Sequence, residues 1–130
     1  MKLHLTRSAG RNLFTGYGPG YVSVNGTRWE ANVLVLSDRV ERWQATAFEA
    51  LAEDDFAALA RLPIEILLLG TGPTLHFPHP RLTQALRDAG IGLEAMDTPA
   101  ACRTYNFLLD EGRRVGAALL VEPGAAPPAR

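Results

Sequence analysis

The sequence predicts an α/β fold. The first third carries a hairpin signal, Asn25-Gly26, between two apolar runs. The second half alternates short apolar strands with helices. The totals suit one domain with its own core: 130 residues, of which 47% are hydrophobic and 21% charged, within single-domain length and globular rather than disordered in composition.

The elements follow in chain order. Tyr21-Val22-Ser23-Val24 alternates and runs into Asn25-Gly26, and residues 27–36 follow with Trp29, Val33 and Val35. An Asn-Gly pair between two such runs marks a hairpin, because both residues tolerate positive φ. Gly16-Tyr17-Gly18-Pro19-Gly20 reads as a structured loop rather than a strand. Residues 40–45, with Trp43, read as a further strand. The N-terminal third is therefore β-rich.

Glu53, Asp54 and Asp55 suit the positive end of a helix dipole, so a helix is expected over 53–62, ended by Pro63. Residues 64–69 form an apolar run too short for a helix and read as a strand covered on both faces. A helix over 81–89 has Pro80 before it and Gly90 as its stop. Then come a strand at 91–96, a helix at 99–111 and a last strand at 115–121. This strand–helix–strand–helix–strand order calls for crossover units on a largely parallel sheet. One domain over 1–121 is expected. The tail at 122–130 holds three prolines and is expected to be flexible.

Thirteen basic and fourteen acidic residues leave a net charge of -1. This balance gives no general attraction to nucleic acid or anionic membrane, and no nucleic-acid partner is expected. The single cysteine, Cys102, has no internal partner for a disulfide. Residues 1–7 lack the apolar stretch of a secretory signal. The apolar runs at 66–69 and 116–121 are far too short to span a bilayer, so no integral membrane segment is expected.

The segment 91–120 is the most diagnostic. Thr98-Pro99 suits a helix start, with the Thr98 hydroxyl expected to accept a first-turn N–H and Pro99 losing no useful donor. Gly112 supplies the stop. At 100° per residue, Ala101, Tyr105, Leu108 and Leu109 share one face, with Cys102 beside it. Arg103, Asn106 and Asp110 lie towards the opposite side, and Phe107 falls well off the core face.

These residues carry a resemblance. Residues 97–113, Asp-Thr-Pro-Ala-Ala-Cys-Arg-Thr-Tyr-Asn-Phe-Leu-Leu-Asp-Glu-Gly-Arg, followed by Gly116-Ala117-Ala118-Leu119, closely resemble the C-terminal part of the family of mitochondrial respiratory complex I assembly factor 3 and its bacterial and archaeal relatives, the Mth938-like domains. The loop at 16–20, Val24-Asn25-Gly26 and Leu69-Gly70-Thr71-Gly72 match in the same order. The likeness covers about residues 12–121. It implies a three-layer α/β domain around a central mixed sheet, and for mitochondrial members a role in assembling complex I. It brings no catalytic residues. The lack of a transit peptide suggests a bacterial member in the cytoplasm, with mitochondrial placement only if such a peptide precedes this sequence. The assembly role is then an analogy.

Candidate sites have plainer readings beside them. Gly70-Thr71-Gly72 follows a strand, where α/β folds place ligand loops, and its N–H groups suit an anion. A simple turn is the plainer reading, since the third glycine of a dinucleotide fingerprint and the Walker lysine are missing. Asp97 reads as a general base or ligand contact, or more simply as a helix cap. If their strands are neighbours, Gly70-Thr71-Gly72 and Asp97-Thr98 border one crevice. Cys102, next to Arg103 in an early helical turn, reads as a reactive thiol or as a small core residue. His76 and His79 have metal-ligand spacing only on a helix, which Pro78 and Pro80 oppose. Arg103, Arg113 and Arg114 suit an anion, but Asp110 and Glu111 offset them. Trp29 and Trp43 read as packing residues, and Tyr17 as a partner contact or an edge cover.

The leading expectation is a non-enzymatic, assembly-factor-like protein-binding domain, using Phe107 with Arg103 and Asn106 at its margin. The alternative is a small-molecule or anion site, open to enzymatic use, at Gly70, Thr71, Gly72, Asp97 and Thr98, with Cys102 as its nucleophile. A homodimer through the exposed aromatic is a third arrangement. No cofactor and no metal are expected.

Overall fold

Two tight turns, each built on a glycine with positive φ, open the described part of the chain, residues 10–121 of a computed structural model. The expected tail at 122–130 lies outside the described residues. β1 (Phe14–Gly18) pairs antiparallel with β2 (Tyr21–Val24), and β2 with β3 (Thr27–Trp29). Asn25 and Gly26 sit between the paired Val24 and Thr27 with φ of 50° and 84°. This is the two-residue turn expected of the dipeptide.

The segment 16–20 departs from its expectation as a loop. Gly16, Tyr17 and Gly18 belong to β1, and only Pro19-Gly20 forms the turn. Proline's fixed φ followed by Gly20 at 78° matches a type II turn. Gly18, inside β1, serves close packing: a Cβ there would lie 2.5 Å from the Tyr21 ring.

Residues 27–36 form two strands, not one. After β3 the chain leaves the first sheet and enters a second as β4 (Val33–Leu36). Asn32 holds this crossing. It is fully buried, its amide donates to Ala45 O at 2.8 Å, and its Oδ1 accepts from Val121 N–H at 2.6 Å. β5 (Arg39–Arg42) pairs with β4 and ends short of the expected residue 45.

α1 (Glu53–Leu59) starts where the Asp55 carboxylate accepts from the Ala52 N–H at 2.8 Å. β6 (Ile66–Gly70) follows. The next helix opens as a 3-10 turn at Pro80–Thr83 and continues as α2 (Gln84–Asp88). β7 (Gly92–Met96), α3 (Thr98–Asp110) and β8 (Val115–Leu119) complete the order.

The second sheet runs β5-β4-β8-β6-β7. β6 is parallel to β7 and β8, whereas β4 is antiparallel to β5 and β8. The sheet is mixed, as the family resemblance implied. Alternating side chains feed two cores. Leu34, Leu36, Leu67, Leu69 and Ala118 pack with Trp43, Phe56 and Leu86 on one face. Val33, Val35, Leu68, Ala117 and Leu119 pack on the other with Tyr105 and Leu109 of α3 and with Phe14, Val22 and Val24 of the small sheet. The result is three layers around a central sheet whose middle strands are buried on both faces.

Candidate functional site

α3 is built for a fixed position. Ala101, Cys102, Tyr105 and Leu109 are buried against the sheet. Asp97 caps the helix, its Oδ1 accepting from the Ala100 N–H at 2.8 Å. Thr98 does not cap it, contrary to the sequence expectation. Its hydroxyl donates to Leu120 O at 2.8 Å and accepts from the Gly72 N–H at 2.9 Å. Asp97 occupies the capping geometry, which frees the Thr98 hydroxyl to join three segments of chain. Gly112, at φ 82°, ends the helix.

The flank of α3 nearest β1 is also committed. The Asn106 side chain acts like a strand neighbour of Phe14. Its Oδ1 accepts from the Phe14 N–H at 2.9 Å and its Nδ2 donates to Phe14 O at 2.8 Å. The Tyr105 hydroxyl donates to Asn12 O at 3.3 Å, and its ring meets Phe14 edge-on at 5.1 Å. Arg103 donates to the Tyr17 hydroxyl at 2.6 Å. Phe107, by contrast, is 62% exposed. It sits in the last turn of a helix pinned by Asn106 on one flank and by the sheet beneath.

The glycine loop and the α3 start do converge, because β6 and β7 are neighbours. They meet as a closed junction. Thr71 and Thr98 are buried. Thr71 N–H donates to Met96 O at 2.9 Å, and Thr98 N–H to Gly72 O at 2.8 Å. With the Gly72 N–H on Thr98, these donors are used inside the protein. Gly70 is small for packing reasons: a Cβ there would lie 2.6 Å from Leu119 Cδ2 and 3.2 Å from Thr98 Cα.

Cys102 is fully buried. Burial pushes its thiol up to about 12, and the nearby Arg103 charge recovers only part of that shift. Such a thiol is not poised as a nucleophile at neutral pH. His76 and His79 lie on a loop. His79 Nδ1 accepts from the Arg81 N–H at 3.1 Å, and His76 stacks near Phe48. Among the described residues no group of three or more His, Cys, Asp or Glu is arranged for a metal. Arg113 pairs with Glu65 at 3.2 Å, whose carboxylate also accepts from the Arg114 N–H at 3.0 Å. That backbone bond first, then Arg113, holds the Glu65 pKa below its ordinary value.

Sequence reasoning read a loop around His76 and His79 but missed its exposed apolar pair, Leu75 at 47% and Phe77 at 73% exposure. The available signal was an apolar pair between prolines 73 and 78, with no helical or strand period to bury it. Among the described residues, no helix is long and apolar enough to cross a membrane.

Residues 14–120 match the family described as protein of unknown function (DUF498/DUF598). The chain is 39% identical over 107 residues to the Bos taurus NADH dehydrogenase [ubiquinone] 1 alpha subcomplex assembly factor 3, covering 81% of this chain and 58% of that one. It thus spans less than two thirds of that relative's length. An uncharacterised protein of Rhodobacter capsulatus is 41% identical, over 93% of this chain and 94% of its own. The solution structure of a Mth938-like domain from Bordetella pertussis superposes with a TM-score of 0.76 at 34% identity, covering 95% of this chain and 94% of that one. A family match over residues 14–120, together with these relatives, shows that the chain belongs to the DUF498/DUF598 family, alongside Mth938-like domains and the complex I assembly factor 3 proteins.

Proposed function

We propose that this chain is a non-enzymatic protein-binding domain with an assembly-factor-like role, and that it docks its partner on the outer face of α3 around Phe107. The single observation that carries this reading is the exposure of Phe107 on a helix whose neighbouring positions are fixed. A large aromatic held in water on a rigid support offers apolar area at little entropic cost, the makings of an interface anchor. Arg103 and Asn106 form the margin: Arg103 at the surface, and Asn106 as the residue that locks α3 to β1. The name of the Bos taurus relative, an assembly factor, supports the same class of role.

The test is affinity capture from the native host with wild type and Phe107→Ala. Phe107 has little to lose in folding, since surface truncations usually cost within about 0.5 kcal/mol. The expected result is loss of the retained protein from the variant. Unchanged recovery of every partner removes Phe107 from the interface.

A further inference from the structure

We infer that the outer face of α3 is self-complementary, and that its occupant is α3 of a second copy of this chain, packed antiparallel about a twofold axis beside Phe107. This rests on the reading of α3 as a protein-binding face and names the partner.

Phe107 and Asp110 are exposed on α3, as is Arg103. At 100° per residue, Arg103 and Asp110 lie about 40° and about 60° to the same side of Phe107. Along the axis they stand about 6 Å before it and about 4.5 Å after it. A twofold axis across the helix, lying in the interface plane, preserves the side and inverts the axial position. It therefore sets Phe107 against its own copy and Arg103 against the copy's Asp110, twice over. A parallel arrangement would instead set like charges together.

The two charges are available for this. Among the described residues neither Arg103 nor Asp110 has an ion-pair partner within its own chain. Arg103 uses one guanidinium nitrogen on the Tyr17 hydroxyl, which orders the side chain while leaving further donors for a carboxylate. One helix face is small beside a standard interface, so the dimer is weak and concentration-dependent.

The test is sedimentation velocity of the full 130-residue chain from about 10 μM to about 1 mM. Wild type is expected to shift towards twice the monomer mass across this range. Arg103→Glu alone and Asp110→Arg alone are each expected to remain monomeric, because each sets like charges together. Their equimolar mixture is expected to regain the dimer, since both cross-pairs are then opposite in sign. That recovery also shows that both variants are folded. A wild type that stays monomeric at the highest concentration overturns the inference. So does a dimer that survives both charge reversals, which would place the contact elsewhere. If wild type is monomeric while capture of a different protein still depends on Phe107, the self-pairing fails and the protein-binding reading stands. If neither self-association nor capture depends on Phe107, both fail.

Discussion

Thr98 shows how one hydroxyl fastens this structure. It lies at the α3 start, accepts from the Gly72 N–H and donates to the Leu120 carbonyl, so it joins the ends of β6, β7 and β8. Thr98→Val keeps the shape and removes both bonds, leaving buried backbone groups short of partners. A loss of about 2–3 kcal/mol in urea unfolding is expected. A threonine that served only a ligand would leave stability unchanged. Cys102 tells a parallel story in pH. Its thiol sits at about 12 in the folded chain against an ordinary 9.0, because burial disfavours the thiolate. The stabilisation from keeping it protonated is complete below pH 9.0 and is lost as pH rises towards 12, since the unfolded chain gives up that proton first. Unfolding free energy is therefore expected to fall between pH about 8 and about 10.5 more steeply in wild type than in Cys102→Ala. Burial also raises the Tyr105 pKa, and that contribution persists in both proteins. Equal slopes would mean that the thiol is hydrated in the folded state.

At the scale of the element, α3 was the most legible part of the sequence, because its signals are local. Pro99, the apolar spacing of Ala101, Tyr105 and Leu109, and Gly112 placed it to within a residue at each end. Phe107 was legible as off the core face for the same reason. What the sequence concealed is long-range. The Asn106 amide reaches a residue 92 positions away, and nothing near it in the chain announces Phe14. The capping role of Thr98 was misread because Asp97 and Thr98 are both good caps, and only the positions of Gly72 and Leu120 decide between them. β1 was missed because its glycines suggest a loop, whereas at Gly18 the missing side chain makes room for Tyr21. The cap makes its own prediction. Asp97→Ala removes the acceptor of the Ala100 N–H and is expected to cost about 1 kcal/mol. Asp97→Asn is expected to cost much less, because it keeps an acceptor oxygen. Equal losses from the two would mean that Asp97 acts through its charge and not through the cap.

The whole molecule depends on one sheet shared by two cores. Each central strand sends alternate residues to opposite faces: Val33 and Val35 against Leu34 and Leu36, and Leu68 against Leu67 and Leu69. Removing either covering layer exposes apolar side chains on strands that the other layer still needs. The small sheet buries Phe14, Tyr17, Val22 and Val24 in the core beneath α3. It is tied down by Asn106 on Phe14 and by the Tyr105 hydroxyl on Asn12. We therefore expect residues 10–121 to unfold as one cooperative unit. The two tryptophans report on the two sides. Trp29, in β3, packs against the core beneath α3, whereas Trp43 is buried in the core beside α1. Trp29→Phe and Trp43→Phe each leave a single reporter. In each variant the fluorescence transition in urea is expected to coincide with loss of far-ultraviolet circular dichroism, with similar slopes. If the Trp29 signal is lost at lower urea while the Trp43 signal and the secondary structure persist, the three-stranded sheet is a separate unit. The support that Asn106 gives to α3 would then be weaker than its two short hydrogen bonds imply.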